Sequence, residues 1–252
     1  MAAEPGTVQF SIGRVIGDSF GVYARNFVSF TALALVIGLV SLAFQLLILV
    51  PMMVSGSQDP TQINWGLVFL GSVIPMVVNA LTQATIIYGT FQDLRGQRAG
   101  IGDCITRGLI SIVPVIIGSI LLSLGVSVGL MLIIVPGLIL LVMWWVYIPA
   151  IVVESKGIFE AFGRSRELTR GRRWHLLGLI LIVGIVVLIV SFAIGKALQD
   201  ATGQVSTVGS IIQYAVLSVL TAFNSVLVAV GYYYLRAEKE GTDVNAIASI
   251  FD

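Results

Sequence analysis

The chain has 252 residues, of which 57% are hydrophobic and 11% charged, and its net charge is +1. A soluble domain carries roughly 25% charged residues, so this composition reads as one integral membrane domain over residues 1–252. The near-zero balance excludes a basic nucleic-acid surface, and one cysteine (Cys104) with one histidine (His175) excludes an internal disulfide and argues against zinc.

Residues 1–8 read as a free tail, and the first apolar run, beginning near Phe27, is too long for a cleavable signal peptide. From Gln9 to Asn26 the residues Phe10, Ile12, Val15, Ile16, Phe20 and Val22 recur at helical spacing, which predicts a short amphipathic helix at the membrane interface. Gly13, Gly17 and Gly21 leave one face of it bare, suited to close approach by another helix.

Six runs then reach the roughly 20 residues that a hydrocarbon core about 30 Å thick demands. They are placed at 28–50, 64–91, 108–134, 136–153, 174–196 and 208–235. The connections at 51–63 and 197–207 are nearly uncharged. Val135-Pro136-Gly137 predicts the tip of a hairpin between the third and fourth runs. Ser119, Ser123 and Ser127, with Gly125 and Gly129, give the third run small-residue faces for tight packing. Trp144 and Trp145 fall near the middle of the fourth. They are expected to pack on the third run, the alternative being that they line a lipid or substrate groove.

Between the fourth and fifth runs lies Glu154 to His175, ESKGIFEAFGRSRELTRGRRWH, with six of the fourteen basic residues. Ile158, Phe159, Ala161, Phe162 and Leu168 give it an apolar helical face, to lie on lipid or on neighbouring spans. Glu160 stands four residues before Arg164 in the order that favours a helical ion pair, and Gly171 is expected to end the helix before Trp174. Glu154 is a further partner for Arg164 or Arg170.

Orientation follows from Lys and Arg alone. One side of the six-span arrangement receives Arg14, Arg25, Arg95, Arg98, Arg107, the six of the island, Arg236 and Lys239; the other receives Lys196. Both termini are therefore expected in the cytoplasm. Tyr88, Trp174 and Tyr232 to Tyr234 fall at the inner boundary, and Trp65 at the outer. The segments near residues 12, 101 and 158 are weakly similar, so the chain reads as three copies of one unit, an amphipathic helix followed by two spans, near 9–91, 99–153 and 157–235. The fold class is all-α: a polytopic membrane protein of six transmembrane helices with short amphipathic helices on the cytoplasmic face.

The run PGLILLVMWWVYIPAIVVESKGIFEAFGRSRELTRGRRWHLLG, with YYYLRAEKEGTD near the end, resembles the glycerophosphoryl diester phosphodiesterase membrane domain family. The positions that carry the resemblance are Pro136, Gly137, Pro149, Glu154, Ala161, Arg164, Ser165, Leu168, Gly171, Tyr233, Leu235, Arg236, Glu240 and Gly241. It implies a multi-pass protein of the bacterial cytoplasmic membrane connected with lipid or envelope homeostasis. It does not imply phosphodiesterase activity, because the catalytic domain of such relatives needs carboxylates and histidines around a metal and that domain is missing here.

No Walker motif, nucleophile elbow or His-Glu zinc motif is present, so an enzyme, a cofactor and a bound metal are not expected. The first functional reading is a non-enzymatic module that binds membrane lipid, anionic lipid above all, or a protein partner or second copy, through Arg164, Arg166, Arg170, Arg172 and Arg173 with Glu154. The same arginines also suit a purely topogenic duty, to which the sequence leans. The second reading is a small transporter or lipid-translocating protein. It rests on amides at membrane depth, and it requires Asn79, Gln83 and Asn224 to converge in space. Gln45 and Gln213 are further intramembrane amides, and interhelical hydrogen bonds alone would account for all five. Reporter fusions at residues 57, 135 and 203 are expected to signal from outside and those at 97, 165 and 245 from the cytoplasm. A cytoplasmic signal at 135 would remove the hairpin.

Overall fold

The structure, a computed structural model, describes residues 10–55, 65–97, 100–132, 134–199 and 207–240. The tail at 1–8, Arg98, Gly241, the side chains of Gln45 and Trp65 and most of the connections at 51–63 and 197–207 lie outside the described residues. The helices are α1 (Ile12–Arg25), α2 (Phe27–Ser55), α3 (Trp65–Leu94), α4 (Ile101–Leu132), α5 (Ile134–Met143), α6 (Tyr147–Glu154), α7 (Ile158–Thr169), α8 (Arg173–Ala197) and α9 (Thr207–Glu240). Six segments are long and apolar enough to cross a membrane, with α5 and α6 together making one of them. The described residues contain no strand.

Several expectations change. The spans outrun their predicted limits: α2 continues to Ser55 and α9 through Arg236 to Glu240. The segment from Ile101 to Arg107 is not a separate amphipathic helix but the start of the 32-residue α4, about 48 Å long, so it carries that span past the hydrocarbon. Pro136 and Gly137 sit inside α5 rather than at the hairpin tip. Proline is tolerated in a first helical turn, where its missing N–H has no intrahelical partner anyway. Gly137 serves contact instead of turning, since a Cβ built on Gly129 would lie 2.8 Å from the Gly137 Cα. Finally, the glycine face of α1 meets nothing: a Cβ at Gly13 or Gly17 would find open space. The packed face of α1 is Val15, Ser19, Val22 and Tyr23.

The predicted fourth span, 136–153, is broken at Trp144–Val146. Pro149 contributes to the break, since it has no N–H for the Trp145 carbonyl and its ring crowds that carbonyl, although Pro75 and Pro114 sit inside the unbroken α3 and α4. The break disturbs neighbouring pairs as well. Tyr147 N–H turns to Trp144 O (3.3 Å) and Trp145 N–H to Val142 O (3.4 Å), so Met143 O and Val146 N–H lose their helical partners. Helix α7 supplies replacements. The Ser165 hydroxyl donates to Met143 O (2.9 Å) and accepts from Val146 N–H (3.3 Å), and the Thr169 hydroxyl lies 3.3 Å from Met143 O. Ser165 and Thr169 are fully buried.

Glycines set how closely the spans approach. A Cβ on Gly118 would meet the Tyr147 ring at 2.7 Å, one on Gly125 the Trp144 ring at 3.1 Å, and one on Gly231 the Trp145 ring at 2.7 Å. Trp144 therefore packs on the third span as expected, also contacting Phe162 (4.9 Å between ring centroids), whereas Trp145 turns to α9. Helices α3 and α9 run side by side toward the same end, where Phe91 meets Tyr232 at 5.6 Å. Helix α8 is peripheral, with only Leu176 and Leu179 buried.

Replacing Ser165 by Ala leaves a buried amide and a buried carbonyl short of partners. The expected result is faster hydrogen–deuterium exchange across 143–147 and a loss of about 2 kcal/mol of stability. Unchanged exchange in that segment would show that the break does not depend on α7.

Candidate functional site

The charged residues of α1, α3, α4, α6, α7 and α9 gather at one end of the bundle, and Lys196 lies at the other end of α8. At the charged end Arg25 pairs with Asp93 (2.7 Å), and the Asn26 amide donates to the same carboxylate (2.8 Å). Phe10 N–H donates to Glu238 (3.0 Å), Tyr234 OH to Asp18, and Arg107 to the Ser155 hydroxyl (2.7 Å). Ser155 closes α6 in the left-handed region, with φ 52°.

The centre of this layer is Arg164. Its guanidinium donates to Glu154 (3.1 Å), to Glu167 (3.4 Å) and to Glu240. Tyr232 OH donates to Glu154, and Arg236 donates to Glu240 (2.8 Å) and lies 3.9 Å from Glu154. Arg164 is 15% exposed and Glu154 9%. Burial by itself lowers the pKa of Arg164, but the hydrogen bonds and charges of Glu240 and Glu154 overturn that and raise it above the ordinary arginine value. The expected Glu160–Arg164 pair is not made; the anticipated partner Glu154 is taken instead, and the fold adds Glu240 from the end of α9, which sequence spacing could not reveal.

The island arginines divide three ways. Arg164 and Arg172 are engaged by the protein itself, the latter with Glu238 (2.7 Å). Their guanidiniums tie the island to α6 and α9. Arg166 and Arg170 are exposed. Arg173, the first residue of α8, heads an apolar groove of about 370 Å³ between α5 and α8, formed by Val135, Leu138, Ile139, Val142 and Leu177 with Trp174 on its edge. The Arg173 Nε is buried and has no partner among the described residues, and Trp174 is 83% exposed. Gly171, with φ 92°, makes the turn that sends Arg172 inward to Glu238 and starts α8 at Arg173.

A second constellation lies between α3, α4, α6, α8 and α9. Asn79, Gln83 and Asn224 do converge, and together with Trp145 they line two adjoining cavities of about 330 Å³ and 470 Å³. Gln83 donates to Asn79 Oδ1. On the α4 side Ser119 and Tyr147 share a hydrogen bond (2.7 Å). Ser119 was read as a packing residue, and Tyr147 was missed, because its approach to Ser119 and the amides depends on the break at Trp144–Val146. Gln213 lines neither cavity. Among the described residues no group of His, Cys, Asp and Glu is placed to hold a metal ion.

Residues 101–236, more than half of the chain, match a family model described as Domain of unknown function (DUF7847). The chain belongs to that family. Comparison with curated proteins and with solved structures finds no match. The matched segment includes Trp145, Arg164, Arg173 and Asn224, and so covers most of both constellations.

Replacing Arg164 by Met leaves Glu154 beside Tyr232 with only the more distant cations Lys156 (3.6 Å) and Arg236 (3.9 Å). A loss of about 3 kcal/mol is expected, seen as a thermal midpoint lower by about 9 °C in detergent. Arg166→Met, on the exposed side of the same helix, is expected to stay within about 0.5 kcal/mol.

Proposed function

We propose that this is a non-enzymatic membrane protein that holds an anionic phospholipid at its charged end. In this reading an acyl chain lies in the groove between α5 and α8, and the phosphate rests against Arg173. The observation that carries it is the Arg173 guanidinium at the head of an apolar groove, its Nε buried without a protein partner. Chemically the pair matches a phospholipid: hydrocarbon for the chain and a charge-assisted hydrogen bond for the phosphate. The N-terminus of α8 adds the positive end of a helix dipole at the same place. Exposed Arg166 and Arg170 contribute longer-range attraction, roughly 1 kcal/mol each near an anionic surface. Trp174, at the groove edge, suits the headgroup level.

The charge distribution supports a cytoplasmic location for this end. Resemblance to the phosphodiesterase membrane domain family supports a role in lipid or envelope homeostasis, in a bacterial inner membrane, without the reaction in that family's name.

A second reading, a small transporter or lipid-translocating protein, draws on the convergence of Asn79, Gln83 and Asn224. It needs a route through the bundle as well as a site. Proteoliposomes in which this protein moves no labelled lipid between leaflets would leave the first reading standing alone.

The test of the first reading is lipid retention in native mass spectra, with phosphatidylglycerol and phosphatidylcholine offered together. The wild-type chain is expected to favour phosphatidylglycerol. Arg173→Ala should lower that preference by about tenfold, the equivalent of one lost charged hydrogen bond. Equal retention of both lipids by wild type, or an Arg173→Ala protein that behaves like wild type, would sink the proposal.

A further inference from the structure

The paired cavities around Asn79, Gln83, Trp145 and Asn224 form a site apart from the Arg173 groove. Asn224 stands at the middle of the 34-residue α9, at a depth where water is scarce and each unpaired polar group is costly. Its amide nevertheless has no hydrogen-bond partner among the described residues, and neither has the indole N–H of Trp145. The benzo edge of Trp145 is wedged on Gly231, so the N–H edge faces away from that contact. Asn79 receives its one bond from Gln83, which leaves the Asn79 N–H₂ and the Gln83 carbonyl oxygen uncommitted. Donors and acceptors therefore stand together without protein partners.

The walls say what kind of molecule can answer them. No Asp, Glu, Lys, Arg or His lines either cavity. A charged ligand would give up its hydration and meet no counter-charge, so the occupant is uncharged. A hydroxyl donates and accepts at once, and so fits a mixed set of amide and indole groups. The smaller cavity reaches the surface between α8 and α9, where Gly184 and Leu217 line it and are exposed. A Cβ at Gly184 would meet nothing within 4 Å. The surface of α8 there is Leu181, Ile182, Ile185 and Val186, so the opening faces hydrocarbon. Entry is from the bilayer.

We propose that this cleft binds a neutral membrane lipid carrying a free hydroxyl, of the diacylglycerol class, with the hydroxyl at Asn224 and Gln83 and the chains leaving between α8 and α9. This does not depend on the Arg173 site or on whether the ligand is moved across the membrane.

The experiment offers the full-length protein diolein, triolein or phosphatidylglycerol and counts bound lipid by native mass spectrometry. Diolein should bind, and triolein, which lacks the hydroxyl, should bind about tenfold more weakly. Asn224→Leu should remove the advantage of diolein. Gly184→Phe, which fills open space and touches no amide, should reduce diolein binding with an unchanged thermal midpoint. Phosphatidylglycerol retention through Arg173 should be the same in both variants, so failure of either site is read independently. Absence of diolein binding, equal binding of triolein, or diolein binding indifferent to both variants would overturn the proposal.

Discussion

A helix broken inside an apolar bundle must find new partners for the backbone groups it frees, because hydrocarbon offers none. That constraint governs this protein. Pro149 disfavours a continuous helix through Trp144–Val146, and the break leaves Met143 O and Val146 N–H over. The answer comes from Ser165 and Thr169, on the helix that carries the island of arginines. Helix α7 is therefore a structural part of the membrane bundle as well as a charged connection between spans. Its Ser165 hydroxyl, donating one bond and accepting another, is the hinge pin between the island and the broken span.

The charged layer follows from the same docking. With α7 held against α5 and α6, Arg164 lies between the ends of α6 and α9, where Glu154 and Glu240 already point. A guanidinium 15% exposed between two carboxylates is worth little as net stability, since desolvation offsets much of the attraction. Removing one partner is costly all the same. Such a network fixes which helix ends meet, and here it closes α6, α7 and α9 into one end-plate with Tyr232 beneath it. The spacing Arg164-Ser165-x-x-Leu168-x-x-Gly171 then has a physical account: an ion pair, a cap for the break, a fully buried side chain and a left-handed turn.

The break also shapes the membrane interior. By ending α5 at Met143 and starting α6 at Tyr147, it swings Trp145 onto Gly231 and Tyr147 onto Ser119. Space opens between them, and the amides of α3 and α9 border it. Helix α8, with two buried residues, closes that space only loosely. The broken span thus borders both constellations: the groove headed by Arg173 and the uncharged cleft at mid-depth.

Much of this was legible in the residues. Long apolar runs must be helices in a bilayer, so the six spans, the charged end and the turn at Gly171 follow from chain chemistry alone. The amides were visible too, as polar groups where polarity is expensive. What spacing could not supply was who meets whom. Arg164 had two readable partners, Glu160 and Glu154; it takes Glu154, and with it Glu240, 76 residues away, which no local pattern announced. Trp144 and Trp145 are neighbours in the chain, yet one packs on α4 and the other on α9. The span over 136–153 read as continuous despite Pro149, and neither the break nor its repair by Ser165 was foreseen. Hydrophobicity and helical periodicity are local properties, and they determined the elements and their membrane habit. Pairings across the bundle depend on the close approach of distant glycines and on long-range charge, and only the tertiary structure decided those.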